Sequence, residues 1–295
     1  MSTEGCDEKI KVRLREYKGI LMGYNEAEMI ETMDTREDDI WVCSYPRSGT
    51  TLTQQIVWLV MTLDFEQVTS VQLDDRFPQV DMKDDRFPYY RGVEHIEKLA
   101  SPRMIKCHLH HFLLPEQLRN GKGRIIYIAR NPKDVIVSAY NLLKWTNELS
   151  NDEKAWNEFL ESFVNGSGLY CPWPRHVTEF WQRRNDKNVL FLKYDDVIKD
   201  IPQTVRKIAR FLQQNISDDD VIKISDCCHI DKMRNNDKLN MSYHRKYKHG
   251  TDDVTGGFIN KGISGAWKEV LSREEAEKVH QLVEQVNQYG LSFED

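Results

Sequence analysis

The stretch "SYPRSGTTL", residues 44–52, joins a small-residue turn, several hydroxyls and one arginine to a helical apolar pattern behind it. Ahead of it, "IWVCSY" (40–45) is a short β-branched and aromatic run of the kind that forms a buried strand. Behind it, Leu52, Ile56, Leu59, Val60 and Leu63 recur at helical spacing, so a helix is expected to start near Thr50. A strand, a tight loop and a helix in that order hold anions, because the first-turn N–H groups have no intrahelical acceptor and the helix start is partly positive. Ser48, Thr50 and Thr51 add hydroxyl donors, Gly49 permits close backbone approach, and Arg47 adds a fixed charge with a bidentate fork. The nucleoside-triphosphate loop G-x-x-x-x-G-K-[ST] is excluded: the upstream glycine and the lysine after the last glycine are both missing.

Working outward, "RIIYIA" (124–129) and "NVLFLKY" (188–194) read as further buried strands, with "RMIKCH" (103–108) as a weaker fourth. Helical patterns separate them, which predicts an α/β fold with a central parallel sheet flanked by helices. "NPKD" (131–134) marks a helix start, with Asn131 as cap, Pro132 in the first turn and Asp134 bonding back to the cap. Further helices are expected at 152–165, 173–184, 202–213, 218–226 and 272–288. Two segments lack periodicity. Residues 70–95 carry "DDRFP" twice, and residues 235–257 are polar and rich in Gly, Asn and Asp. Long irregular stretches in a compact chain are usually lids or binding loops, and with no low-complexity linker present we read residues 1–295 as one domain with a leading segment at 1–37.

Bulk properties narrow the function. A net charge of −6 provides no basic field for collecting nucleic-acid backbones. The longest apolar run, "IVWLVMTL", is too short for a bilayer span, and the polar N-terminus lacks a secretory apolar core. Six scattered cysteines with no C-x-x-C pair suit reduced thiols in the cytoplasm.

Four more stretches carry chemistry. In "ARNPKDVIVS" (129–138), Arg130 ends a strand and Ser138 lies about two turns into the next helix, making a second anion site beside the loop; alone, Arg130 reads as a solvated ion-pair partner. In "MIKCHLHH" (104–111), His108 follows a strand and is a candidate general base, with Lys106 two residues earlier. Its alternatives are a hydrogen-bonded core histidine, or a metal ligand in the H-x-H-H cluster, for which no carboxylate or cysteine completes the spacing. In "NKGISGAWK" (260–268), Lys261 and Gly262 are placed to close over an anion, with Trp267 as an anchor. Asp195 and Asp196 after "VLFLKY" are formal Mg²⁺ ligands for a P-loop kinase, a reading weakened by the missing lysine.

"YPRSGTT", "IKCH", "YIARNPKDVIVS", "VLFLKYDD" and "KGISGAWK" together resemble, in order and spacing, the cytosolic sulfotransferases. The resemblance implies a P-loop-like sulfotransferase fold that uses 3′-phosphoadenosine 5′-phosphosulfate (PAPS) as sulfuryl donor, releases 3′,5′-ADP (PAP) and needs no metal. It further implies that Arg47, Ser48, Gly49, Thr50 and Thr51 cradle the 5′-phosphosulfate, and that Arg130 and Ser138 hold the 3′-phosphate with Lys261 and Gly262 closing over it. Tyr194 would reach the adenine; His108 would be the catalytic base, with Lys106 and Arg47 meeting charge on the transferring group.

Departures from the family pattern are specific. Arg47 stands where lysine is usual, Leu52 replaces an adenine-stacking tryptophan, Cys228 and Ile230 fall in the adenine-side stretch, and Asn260 replaces an arginine. They keep open a second class, a sulfotransferase-like nucleotide-binding or interaction protein with little catalysis. The family's dimer motif is altered to "KEVLSREEAE", where Lys268 and Glu277 match but Ser272 and Arg273 do not, so a monomer or weak homodimer is expected.

The implied acceptor is a small molecule bearing a hydroxyl, a phenol or an alcohol. Tyr24, Phe77, Met82, Phe87, Tyr89, Leu142, Trp145, Trp173 and Tyr247 are candidate lining residues of its pocket, and for each taken singly ordinary core packing is the stronger alternative. The duplicated "DDRFP" suggests an acidic rim that would suit an amine-bearing acceptor, or else ordinary solvated loop charges.

Overall fold

Ile40–Ser44 is buried at every position, which is why it reads as an uninterrupted apolar run: it is an interior strand covered on both faces. The computed structural model describes residues 12–146, 148–241, 257–259 and 261–294. In it, strands β1 (Leu14–Tyr17) and β2 (Ile20–Gly23) form an antiparallel hairpin. Strands β3 (Ile40–Ser44), β4 (Met104–Cys107), β5 (Arg124–Ala129) and β6 (Val189–Lys193) form a parallel sheet in the order β4-β3-β5-β6. All four strands of the sheet coincide with the apolar runs of the sequence.

Alternate residues of each strand feed different cores. Trp41, Cys43, Ile105, Ile125 and Tyr127 face one side, where they meet the helices Pro132–Trp145, Trp173–Gln182 and Arg273–Asn287. Ile40, Val42, Ile126, Ile128 and Leu192 face the other, against Thr50–Thr62, Ile201–Phe211 and Asp218–Cys227. Each fully buried aliphatic or aromatic side chain contributes about 1.5–3 kcal/mol, so burial on both faces strongly stabilises the sheet. The Arg103 guanidinium grips Asp39 at 2.7 and 2.5 Å, both side chains buried, and ties the starts of β3 and β4 together.

Helix boundaries follow local chemistry. The Asn131 side chain accepts the Lys133 N–H at 3.0 Å, as expected of a cap. Asp134 does not bond back to that cap; its carboxylate accepts the N–H groups of Gly265 at 2.9 Å and Trp267 at 3.1 Å. Ser272 and Glu275 form a capping box that starts Arg273–Asn287, which gives the altered dimer motif a local structural role.

The β1–β2 hairpin went unread within the leading segment. Its turn residues Lys18 and Gly19 have φ of 51° and 79°, the left-handed pair that a two-residue hairpin requires. Residues 70–95 are more ordered than their pattern suggests: Leu73–Arg76 is a helical turn, and Gln79 bridges to Lys106 beside β4. Of the segment 235–257, residues 242–256 lie outside the described residues. Among the described residues no helix is long and apolar enough to cross a membrane.

Candidate active site

Parallel strands bring their carboxyl ends to one edge of the sheet, and ligands of open α/β sheets bind there, at the point where the chain reverses its direction of growth. Here β3 delivers the loop 45–49, β4 delivers His108, β5 delivers Arg130 and β6 delivers Tyr194. One cavity of about 840 Å³ opens at this edge. Its wall contains Arg47, Gly49, Thr50, Thr51, Leu52, Lys106, His108, Arg130, Ser138, Tyr194, Cys228, Ile230, Lys261 and Gly262. Residues spread over more than two hundred positions of sequence therefore meet in a single chamber. Ser48 sits just behind it, buried, and its hydroxyl has no hydrogen-bond partner among the described residues. Asn260 lies outside the described residues.

The loop is built tightly. Arg47 has φ 71° and Gly49 φ 107°, both left-handed. A Cβ on Gly49 would lie 2.6 Å from the Tyr194 ring and 3.0 Å from Ile128, so glycine is required for backbone and close packing alike. Arg47 donates from Nε to the Ser138 hydroxyl at 3.1 Å and from Nη2 to the Phe258 carbonyl at 2.7 Å, and it lies over the Phe258 ring at 4.8 Å. Burial and the neighbouring Arg130 lower its pKa to about 10, which leaves it cationic at neutral pH. Arg130 stacks over Tyr194 at 4.4 Å and donates to the carbonyls of Arg47 and Ile263. Its Nε is buried with no hydrogen-bond partner among the described residues. Two guanidinium groups and a buried hydroxyl around one cavity suit an anionic ligand.

His108 is buried, and its Nδ1 lies 2.9 Å from the Ser44 carbonyl oxygen. A carbonyl only accepts, so Nδ1 carries the proton and Nε2 keeps the lone pair. Burial, then the charges of Lys106 and Arg47, push the His108 pKa down to about 3, so the ring is neutral at physiological pH. Lys106 is buried too, and its pKa is lowered by that burial and by Arg47, against the opposing pull of Asp74 and Asp81.

Sequence reading missed Asp81. Its carboxylate accepts the His108 backbone N–H at 3.1 Å and the Tyr170 hydroxyl at 2.6 Å. Burial raises its pKa against those hydrogen bonds. An aspartate ahead of a loop carries no motif; the bridge between Gln79 and Lys106 is what brings it to the end of β4.

Three expectations are corrected. Lys261 lines the cavity, but its ammonium is paired with Glu269 rather than directed over the opening. Of the residues read as the acceptor pocket, Met82, Leu142 and Trp145 line the cavity. Phe77, Phe87, Tyr89 and Trp173 are instead core residues, Tyr24 is exposed outside the wall, and Tyr247 lies outside the described residues. Leu14, Tyr90, Leu169, Tyr170 and Phe258 also line the cavity. The acidic repeat does not form a bare rim: Asp84 pairs with Arg86, Asp75 with Arg91 and Asp85 with Lys83, while Asp74 is buried. The carboxylates in the cavity wall, among the described residues, are Asp134 and Glu148.

An anion loop at one strand end and a neutral histidine at the next describe a group-transfer site, and comparison with known proteins gives the class. Residues 37–290 match the sulfotransferase domain. The chain is 36% identical to dog sulfotransferase 1B1 over 257 residues, covering 86% of this chain and 85% of that protein. It is 32% identical to human sulfotransferase 4A1, covering 86% and 81%. Its fold is similar to that of a retinol dehydratase solved with androsterone and the inactive cofactor PAP, at a TM-score of 0.84 and 27% identity, covering 94% of this chain and 89% of that one. The chain belongs to the cytosolic, PAPS-dependent sulfotransferase family.

Proposed function

We propose that this protein transfers a sulfuryl group from PAPS to the hydroxyl of a small-molecule acceptor, with His108 as general base. The observation that carries the reading is the meeting of His108, Lys106 and the 47–52 loop in one cavity, with the histidine held in the tautomer that leaves Nε2 basic. PAPS supplies the activated sulfuryl group and leaves as PAP.

The residues fit such a donor. Arg47, Ser48, Gly49, Thr50 and Thr51 hold the 5′-phosphosulfate, and the unpartnered buried Ser48 hydroxyl is a donor ready for an oxyanion. Arg130 and Ser138 hold the 3′-phosphate, a role supported by the Arg130 Nε buried without a partner among the described residues. Tyr194, Leu52, Cys228 and Ile230 bound the adenine, and the backbone at Gly262 closes the nucleotide side, where an added Cβ would strike Ile230 at 2.5 Å. Lys106 and Arg47 meet charge on the transferring group, since positioning and fixed cations supply most of the catalysis in such in-line transfers. His108 takes the acceptor's hydroxyl proton at Nε2 while Nδ1–H remains on the Ser44 carbonyl.

The acceptor is a phenol or alcohol on an apolar skeleton, because Met82, Tyr90, Leu142, Trp145, Leu169 and Phe258 make that side of the wall. Glu148 on the same wall extends the class to acceptors that carry an amine. The free thiols of Cys43, Cys107, Cys171, Cys227 and Cys228 suit the reducing cytoplasm. The altered motif at 268–277 suits a monomer or weak homodimer, which sedimentation tests.

The deciding experiment is sulfate transfer from PAPS across phenols, catecholamines, steroids and simple alcohols, with titration of 3′,5′-ADP alongside. Nucleotide binding without transfer to any acceptor would leave a binding protein, and absence of both would overturn the donor reading.

A further inference from the structure

In the parallel register Cys43 pairs with Cys107, so the next residues, Ser44 and His108, leave adjacent strand ends side by side. Three short contacts follow from that placement. His108 Nδ1 lies 2.9 Å from the Ser44 carbonyl oxygen and 3.3 Å from the Ser44 hydroxyl. The Ser44 hydroxyl lies 2.7 Å from that of Thr50. Thr50 is the first residue of the helix Thr50–Thr62 and lines the cavity. Ser44 itself is fully buried and absent from the wall. It touches neither ligand site directly, yet it stands between them.

We infer that Ser44 is a positioning residue that couples occupancy of the anion loop at Thr50 to the orientation of His108 and to how firmly its Nδ1–H is held. The inference rests on the reading of that loop as the donor site and of His108 as the base. The argument is one of proton counting. A hydroxyl has one proton to donate and can accept at its lone pairs. An anion at the helix start accepts the one hydrogen bond that the Thr50 hydroxyl can donate, so Thr50 must then accept from Ser44. With its own proton committed to Thr50, the Ser44 hydroxyl shows His108 only lone pairs.

That arrangement is compatible only with a proton on Nδ1, shared between the Ser44 carbonyl and hydroxyl oxygens. The opposite tautomer would place the Nδ1 lone pair against two acceptors in a buried site, where an unmade hydrogen bond is costly. No proton moves along the chain; its direction alone is set. With the loop empty, Thr50 can donate to Ser44 and the Ser44 proton is released, so the lock on Nδ1–H loosens. Donor binding and base readiness thereby become linked through one hydroxyl.

The test uses the full-length protein. Wild type, Ser44→Ala and Ser44→Thr are compared for turnover with PAPS, for 3′,5′-ADP affinity, and by nitrogen NMR of labelled histidine with and without 3′,5′-ADP. The expected result is a fall in kcat of about tenfold for Ser44→Ala, the order of one neutral hydrogen bond, with 3′,5′-ADP affinity within about twofold of wild type, since the variant keeps Thr50 and the loop. Ser44→Thr restores turnover. The His108 nitrogen signals respond to 3′,5′-ADP in wild type and lose that response in Ser44→Ala. Where Ser44→Ala does not fold, Ser44→Cys keeps the volume with a poor hydrogen-bonding group and is expected to behave alike.

An active wild type with unchanged kcat in Ser44→Ala, or with kcat and nucleotide affinity falling together, overturns the coupling and leaves the donor reading intact. A wild type that neither binds 3′,5′-ADP nor transfers sulfate overturns the donor reading, and the coupling with it.

Discussion

Asp134 accepts the backbone N–H of Trp267 at 3.1 Å, so the first turn of the helix behind Arg130 is tied to the segment that carries Lys261 and Gly262. The second carboxylate oxygen takes the Gly265 N–H, and Lys133 lies over the Trp267 ring at 4.4 Å. The segment around Gly265 and Trp267 is therefore anchored from the helix that follows β5.

Replacing Asp134 by alanine removes two charge-assisted hydrogen bonds, each worth about 1.5–3 kcal/mol. The expected outcome is faster amide exchange over residues 261–267 and 3′,5′-ADP affinity lower by about tenfold or more. Exchange mass spectrometry with titration measures both. Unchanged protection of that segment would show that the anchor lies elsewhere.

His108→Ala is expected to abolish sulfate transfer while leaving 3′,5′-ADP affinity within a few-fold, because the role proposed for its Nε2 is toward the acceptor hydroxyl and not the nucleotide. The His108 pKa of about 3 arises from burial and from the cations Lys106 and Arg47. An anion bound beside those cations offsets their repulsion, so titration of the ring by NMR should show a higher pKa with 3′,5′-ADP present. A ring that titrates identically with and without nucleotide would refute this electrostatic account.

Gly49→Ala places a methyl group 2.6 Å from the Tyr194 ring at a φ of 107°. Left-handed strain and overpacking each cost about 1–3 kcal/mol. A lower melting temperature is expected together with loss of nucleotide binding, whereas Gly121→Ala, with open space at its Cβ, should keep nucleotide binding. Calorimetry and titration on the two variants separate the local clash from a general glycine effect.

Acid should destabilise the fold before most carboxylates titrate. Burial depresses the pKa of His108 to about 3 and of His111 to about 4, and holds His176 well below its ordinary value. Unfolded, each binds its proton near pH 6.5. The stability these neutral rings confer is thus complete above about pH 6.5 and is lost as pH falls toward their folded values, each approaching a slope of about 1.4 kcal/mol per pH unit. Asp81 and Asp195, whose pKa values burial raises, act in the opposite sense above the ordinary carboxylate range. Urea unfolding at pH 7.5, 6.0 and 5.0 measures the slope; a flat profile would contradict the neutral-histidine assignment.

The sequence by itself determined the four parallel strands, because strands covered by helices on both faces must be largely apolar and the runs at β3, β5 and β6 are short and β-branched or aromatic. It determined the long helices through periodicity and caps, and it determined the strand–loop–helix unit at 40–62, since strand, glycine turn and helix start are contiguous. Arg130, Ser138 and His108 were legible for the same reason: each sits at a strand end or in the helix that follows one.

Only the tertiary structure decided what crosses between strands. Asp81 reaches His108 through a bridge from an irregular segment, Asp134 turns from its own cap to Trp267, and Arg47 spends its fork on Ser138 and Phe258. Phe77, Phe87, Tyr89 and Trp173 joined the core rather than the cavity, a choice the sequence left open because an aromatic ring carries the same pattern whether it faces a cavity or a core. Hydrophobicity decides that a side chain leaves water. Which closed surface it then joins is set by long-range packing, and no local pattern encodes it.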